Sequence, residues 1–270
     1  VRVVRRLAAL LRRERIDVLD ARMTYSMVVG LLAARRAGTP IAIATEYYDD
    51  WWSRAPWRFV APSVFEGFDA LVSDSRWALD RYRRALGRPL ANAVVIPSGV
   101  PEPRSVMSRS DVRRALGLPD GARVIAQIAR LIEYKGQRPL LRAAARVMRH
   151  APDASLLVCG YAQSHEAYAR SLAREAEALG IADRVRMASW PGPIADVWRA
   201  VDIHAHPSLL DSSPIAIHES MALGLPAVVS SAGGIPELVE HEVSGLVVPP
   251  EDADALAGAL LRLLREPETC

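Results

Sequence analysis

The sequence predicts an α/β protein made of two parallel-sheet domains facing each other across a cleft. Three observations carry that prediction. Short β-type runs alternate with helical stretches along the chain. The runs are short and mostly apolar, and read as buried strands. One proline-rich break divides the runs into a first group of four and a second of six.

Before the break the strand-like runs are Asp17–Ala21, Ile41–Thr45, Ala70–Ser73 and Ala93–Pro97. After it come Arg123–Ile128, Ser155–Cys159, Arg184–Ala188, Ile203–His206, Ala227–Ser230 and Gly245–Val248. Amphipathic helical stretches lie between them, among them Tyr25–Arg36, Gln137–Arg149, Glu166–Leu179 and Ala253–Leu264. The break runs from Pro97 to Ser110, with three prolines and several small polar residues. It places the domains at 1–105 and 106–270. Both ends read as cut, since the chain opens inside a helix (Val1 to about Arg13) and closes at Glu266–Cys270, just after another. Four strands are few for a half that faces six, so the first domain reads as incomplete.

Half of the 270 residues are apolar, enough for two modest cores. No run nears the roughly 18 apolar residues of a membrane span, and the Arg-rich start does not read as a signal peptide. The two cysteines, Cys159 and Cys270, give neither a disulfide framework nor a zinc pattern. Cys159 reads as a buried free thiol, and a reducing cytoplasm fits. Residues 1–105 hold 17 Arg against 11 acids, whereas the rest holds 17 basic and 20 acidic residues. A basic front half suits an acidic acceptor or peripheral contact with the inner face of a membrane. Arginine as surface decoration in an Ala- and Arg-rich chain accounts for it without either. No basic–aromatic pattern points to nucleic acid. Lysine occurs once, at Lys135, against 33 Arg, which singles out that one ammonium.

In open parallel sheets, ligands bind beyond the carboxyl ends of the strands. In the second half those ends are followed by Arg130 and Lys135, by Gly160, by Ser189 and Trp190, by Pro207 through "LLDSSPIAIHES", and by "SSAGGIPE". Arg130 and Lys135, five residues apart beside a helix start, suit a diphosphate: Arg grips two oxygens and Lys offers a mobile point charge. A surface salt bridge for each is the competing reading. Asp211 and Glu219 form an acid-x7-acid pair. Between them Ser213 and Pro214 read as the cap and first residue of a helix ending near Leu223, whose free amides suit a phosphate or a hydroxyl. Two acids so spaced can address two parts of one elongated ligand, and a carboxylate accepting from a vicinal diol suits a ribose. Helix capping by Asp211 and solvation of Glu219 compete with that. Gly233–Pro236 reads as a glycine turn, or as a plain loop. His204, His206 and His218 lack a further ligand at a familiar spacing, so no metal site is expected. Neither a nucleophile elbow nor a phosphate-binding Walker loop is present.

Together these residues resemble family 4 of the retaining GT-B glycosyltransferases, often described as glycosyl transferases group 1. "ARLIEYKG" resembles its phosphate-binding segment. "HPSLLDSSPIAIHESMALGLPAVVSSAGGIPELVEHEVSGLVVPPEDADALAGAL" resembles its long signature, and "ALVSDSRWALDRY" and "NAVVIPSGV" the end of its first domain. The resemblance implies two Rossmann-like domains, an acceptor side in 1–105 and a nucleotide-sugar donor side in 106–270. It implies a hexosyltransferase-type enzyme of carbohydrate biosynthesis that moves a sugar to a glycan, lipid or small-molecule acceptor with retention. No metal or separate cofactor is implied, the nucleotide diphosphate-sugar being a substrate. Arg130 and Lys135 would hold the diphosphate, Asp211 would contact the donor sugar and Glu219 the ribose. Backbone around Ser213 and Ile215 would touch sugar or phosphate, and Ala188–Trp190 would meet the base, with Gly160 at the same edge.

Three features depart from the family pattern. Asp211 is one methylene shorter than the usual Glu. No histidine occurs in residues 1–105, where Thr45, Glu46 and Tyr47 occupy the expected region. The family's N-terminal glycine-rich loop and final helix are absent. These departures leave open a nucleotide-sugar binding module without turnover. An epimerase of similar architecture is disfavoured by the R-x4-K and acid-x7-acid spacings. A membrane-surface scaffold based on the six Arg of Val1–Arg15 competes with a solvated first helix.

Overall fold

A computed structural model describes residues 1–47, 57–87, 89–160 and 166–266. Cys270 lies outside the described residues. The chain divides into two compact units, Val1–Ser98 and Gly99–Cys270.

The first unit runs α1 (Arg2–Arg13), β1 (Val18–Arg22), α2 (Thr24–Ala37), β2 (Ile41–Glu46), α3 (Trp57–Phe65), β3 (Ala70–Ser73), α4 (Arg76–Leu86) and β4 (Ala93–Val95). Its four strands form one parallel sheet in the order β1-β2-β3-β4. Helices fill the crossovers because parallel neighbours need long returns. The core gathers Met27, Leu31, Phe65, Leu71 and Tyr82, with Phe65 and Tyr82 edge to face at 5.9 Å between ring centres. At the carboxyl end of the sheet, Asp20 ties Thr45 (2.7 Å) to Arg22 (2.8 Å), and Arg22 reaches the Tyr47 hydroxyl at 3.0 Å.

The second unit runs α5 (Arg109–Leu116), β5 (Arg123–Ile128), α6 (Gln137–His150), β6 (Ala154–Cys159), α7 (Glu166–Ala178), β7 (Val185–Ala188), α8 (Ile194–Ala200), β8 (Ile203–His206), α9 (Ile215–Ala222), β9 (Ala227–Ser230), β10 (Leu246–Val248) and α10 (Ala253–Arg265). Six parallel strands order as β10-β9-β8-β5-β6-β7. Strand order reverses between β5 and β8, the switch point where such sheets open a crevice. One core layer joins Leu140 of α6, Leu156 of β6, Leu172 of α7 and Leu260 of α10, all fully buried. Each such leucine contributes about 1.5–3 kcal/mol of burial. The other joins Val112 of α5, Leu157 of β6 and Trp198 of α8.

All ten expected strands form, with ends moved by a residue or two. Asp17 falls just outside β1, its carbonyl still accepting the Ile41 amide at 3.0 Å. β4 stops at Val95, short of Pro97, which has no amide to extend a ladder. The start of α9 differs from expectation. Its cap position is Pro214 without a side-chain bond, because the Ser213 hydroxyl sits 2.9 Å from His218 Nε2 instead of turning to the helix amides. The compact units also part earlier than residue 105. Asp196 Oδ1, on α8, accepts from Ser105 Oγ (2.8 Å) and from the amides of Val106 (2.7 Å) and Met107 (3.1 Å). This strap holds the proline-rich segment to the second unit.

The same unit is stapled by Arg113 of α5. Its guanidinium donates to the carbonyls of Asp120, Ala122 and Ala200, and pairs with Asp202 at 2.8 Å. Asp202 also accepts the Val124 amide at 2.7 Å, at the mouth of β5. Arg113→Ala leaves three carbonyls, two of them in buried bonds, and a carboxylate without this partner, and should cost about 3 kcal/mol in urea unfolding. Arg114→Ala, which breaks an exposed pair with Asp111, should cost less than about 1 kcal/mol.

Candidate functional site

Beyond β5 the chain passes through Arg130 into a single 3-10 turn, Glu133–Lys135, before α6 begins at Gln137. Two fully buried glutamines hold this loop from below. Gln127 Nε2 donates to the Lys135 carbonyl (2.6 Å), and Gln137 Nε2 to the Arg130 carbonyl (2.9 Å). Tyr134 stands between the two cations. Its hydroxyl accepts from Arg130 at 2.8 Å, and Lys135 Nζ lies 5.5 Å from its ring centre.

Lys135 meets Asp211, in the loop between β8 and α9, at 2.5 Å. The same oxygen, Oδ2, contacts His206 Nε2 at 3.0 Å and accepts the Ser208 hydroxyl at 3.1 Å. His206 and Ser208 are buried at the end of β8, and the Ser208 carbonyl accepts from Ser230 Oγ at the end of β9. Burial alone pushes the Asp211 carboxyl up. The His206 contact and the Lys135 ammonium outweigh that and hold it down to about 2. The Asp211 backbone is fixed by the glycine turn. Gly234 donates its amide to the Asp211 carbonyl at 2.9 Å. Gly233 has φ +62, and a Cβ there would lie 1.9 Å from that carbonyl oxygen, so only glycine fits.

Next to this pair lies a cavity of about 310 Å³, lined by Arg130, Gly160, Trp190, Ile215 and Glu219 together with apolar groups such as Ile128 and Ile194. Gly160 forms its floor. A Cβ there would sit 1.8 Å from the Ala129 carbonyl oxygen, where β5 and β6 end side by side. Cys159 lines the same wall, and burial pushes its thiol up to about 11, so it is inert as a nucleophile near neutral pH. Glu219 Oε2 accepts from the indole of Trp198 at 2.9 Å. Trp198 packs edge-on against His204 (4.7 Å), whose Nδ1 lies 2.7 Å from Ser220 Oγ. His204 in turn lies edge-on to His206 at 5.5 Å.

The structure thus gathers Arg130, Gly160, Trp190, Ile215 and Glu219 in one cavity wall. Lys135 and Asp211 form a pair outside that lining, linked to Arg130 through Tyr134. Ser213 is buried against His218, and Ser189 is exposed and outside the lining. The histidines pair with Ser220, Asp211 and Ser213, and among the described residues no His, Cys, Asp and Glu side chains group so as to hold a metal ion. Among the described residues no helix is long and apolar enough to cross a membrane. Sequence reasoning missed Tyr134 and Trp198, and placed Ser208 at the strand edge without a role. The alternation of His204 and His206 signalled one strand face, but nothing local marked Trp198 as the partner of Glu219.

Two α/β units of parallel sheet, the second with cations and carboxylates gathered at the carboxyl edge of its strands, define a Rossmann-like two-domain protein with an anion-ready cavity. The chain belongs to the glycosyl transferases group 1 family. That family's model matches residues 108–270, and the model of Glycosyltransferase Family 4 matches residues 1–104. It is 36% identical over 162 residues to a D-inositol 3-phosphate glycosyltransferase of Segniliparus rotundus, which covers 59% of this chain and 36% of that protein. It is 30% identical over 278 residues to a GDP-mannose-dependent monoacylated alpha-(1-6)-phosphatidylinositol monomannoside mannosyltransferase of Corynebacterium glutamicum, covering 97% of this chain and 70% of that protein. In fold it is similar to Anabaena HepE in complex with UDP and glucose, with a TM-score of 0.82 at 24% identity, covering 98% of this chain and 72% of the other. The chain spans 36% to 47% of the length of the D-inositol 3-phosphate glycosyltransferases it matches. Its fold is the GT-B arrangement of two parallel-sheet domains.

The depressed Asp211 carboxyl gives a pH signature. Its contribution is nearly complete above about pH 5, where an unfolded aspartate is almost fully ionised, and is lost progressively as pH falls through about 4 toward 2. In urea unfolding, the stability gap between the unaltered chain and Asp211→Asn should be on the order of 2 kcal/mol near pH 6 and shrink steadily below about pH 4. A gap that stays constant with pH would contradict this.

Proposed function

We propose that the chain is the donor-binding and catalytic part of a glycosyltransferase that moves a sugar from a nucleotide diphosphate to an acceptor hydroxyl, with retention at the anomeric carbon. The observation that carries this reading is the cavity wall shared by Arg130 and Glu219, with Lys135 linked to it through Tyr134. A cavity lined by both a cation and a carboxylate suits a nucleoside diphosphate, which presents anionic oxygens and a vicinal diol. Family membership supports it, as do the activities of the relatives. Those relatives act on inositol phosphate or on a phosphatidylinositol mannoside, and polyol or lipid-linked acceptors are proposed for this chain on that ground.

In this reading Glu219 accepts hydrogen bonds from the ribose hydroxyls, and the wall at Gly160 and Trp190 meets the base. Arg130 and Lys135 grip the diphosphate. As the bond from the anomeric carbon to the phosphate oxygen lengthens, negative charge grows on the leaving diphosphate and positive charge on the sugar ring. Arg130, Lys135 and the free amides before α9, around Ser213 and Ile215, stabilise the first. Asp211 Oδ1, which no described residue uses as an acceptor, faces the sugar, while Oδ2 steadies Lys135. The acceptor hydroxyl attacks from the face the diphosphate leaves and passes its proton to the departing phosphate oxygen. Two side-chain cations carry the charge compensation, so the transfer is proposed to run without a divalent metal.

Two measurements test this. Thermal unfolding with UDP-, GDP- and ADP-sugars well above the dissociation constant should show one nucleotide raising stability by about 2–4 kcal/mol, and no shift from any of them would overturn the reading. With that donor and an inositol or lipid-linked acceptor, Lys135→Ala should lower kcat by about a hundredfold or more, EDTA should leave the rate unchanged, and proton NMR of the product should show the donor's anomeric configuration. Activity near wild type in Lys135→Ala would remove the proposed role, and an inverted product would remove retention.

A further inference from the structure

Both acids of the Asp211–Glu219 pair are tied down in the same way: one carboxylate oxygen is engaged from beneath and no described residue donates to the other. For Asp211 the tie is to Lys135, His206 and Ser208. For Glu219 it is the indole of Trp198 alone, at 2.9 Å. Trp198 is 1% exposed, among the largest fully buried side chains of the unit, and lies on α8 rather than on α9 with Glu219. Its ring is held edge-on by His204, and His204 is tied to Ser220, the residue after Glu219. A buried layer of three rings, Trp198, His204 and His206, therefore runs under both acids.

We propose that Trp198 is the positioning residue of the donor site: its indole N–H holds Glu219 Oε2 so that Oε1 is presented to the ribose diol. This rests on the ribose role proposed for Glu219. A glutamate inside a helix has three rotatable bonds, and an unanchored carboxylate spreads over several rotamers. A donor on a neighbouring helix selects one of them before the ligand arrives, which lowers the ordering cost of binding. An indole suits the task because it has one donor and no acceptor, so it cannot compete with the ligand for protons. Burial in an apolar layer strengthens its bond to the carboxylate.

The test compares the nucleoside diphosphate that shifts thermal unfolding with its 2′,3′-dideoxy counterpart, by calorimetry on the whole chain. The unaltered protein should prefer the ribose form. Trp198→Phe keeps an aromatic ring and drops the N–H, and should weaken the ribose form by about tenfold while leaving the dideoxy form nearly unchanged. Lost packing alone would weaken both equally. If Trp198→Phe does not fold, replacing Trp198 with 3-benzothienylalanine keeps the bicyclic shape and removes only the donor. Equal binding of the two ligands by the unaltered protein would sink the ribose role of Glu219 itself. A preference in the unaltered protein that persists undiminished in the Trp198 variant would sink the positioning role alone.

Discussion

Asp211 is placed where a carboxylate does not rest without compensation: 14% of its side chain is exposed, among β8, β9 and the loop after β5. One ammonium, one imidazole and one hydroxyl converge on a single oxygen, and each arrives from a different piece of chain. Lys135 comes from the turn after β5, His206 from the end of β8, and Ser208 from the loop that follows. The backbone of Asp211 is pinned by the Gly233–Gly234 turn after β9. Three connections of the second sheet, those after β5, β8 and β9, thereby meet at one residue. The cost of desolvating that charge is offset only while all partners stay in place, so the loops that line the cavity gain order from it.

The two units show how far a parallel sheet can be read from apolar runs. β6, β8 and β9 announce themselves because both faces are covered, whereas β1 and β4 are short runs left partly exposed. The ends are less legible. β4 ends with its last ladder bond before Pro97, and β1 slides by one residue with little change in burial. The division between units, at Ser98 and Gly99, falls within the proline-rich break at Pro97–Ser110, while the hold of Asp196 on residues 105–107 joins positions about ninety apart and leaves no local mark.

Of the site, the pairing of cations and the spacing of acids were legible, since both are local patterns at predicted strand ends. The assignment of Ser213 as a helix cap fails because its hydroxyl has more than one polar partner within reach, and the one it takes, His218 Nε2 at 2.9 Å, lies a turn further along. Ser189 shares a loop with Trp190 but faces solvent, a matter of side-chain direction that spacing does not fix. Trp198 was invisible for a different reason. It reads as one more apolar residue of an amphipathic helix, and only three-dimensional packing turns its single polar atom toward Glu219.

Helix α8 is only seven residues long, yet it serves in two places. Asp196 on one side moors the incoming segment at 105–107, and Trp198 on the other supports Glu219. Tension along the polypeptide entering this unit is thus delivered to the rod that supports a cavity carboxylate. A lesion that unmoors Ser105 therefore acts on the same seven-residue helix that holds Trp198 against Glu219.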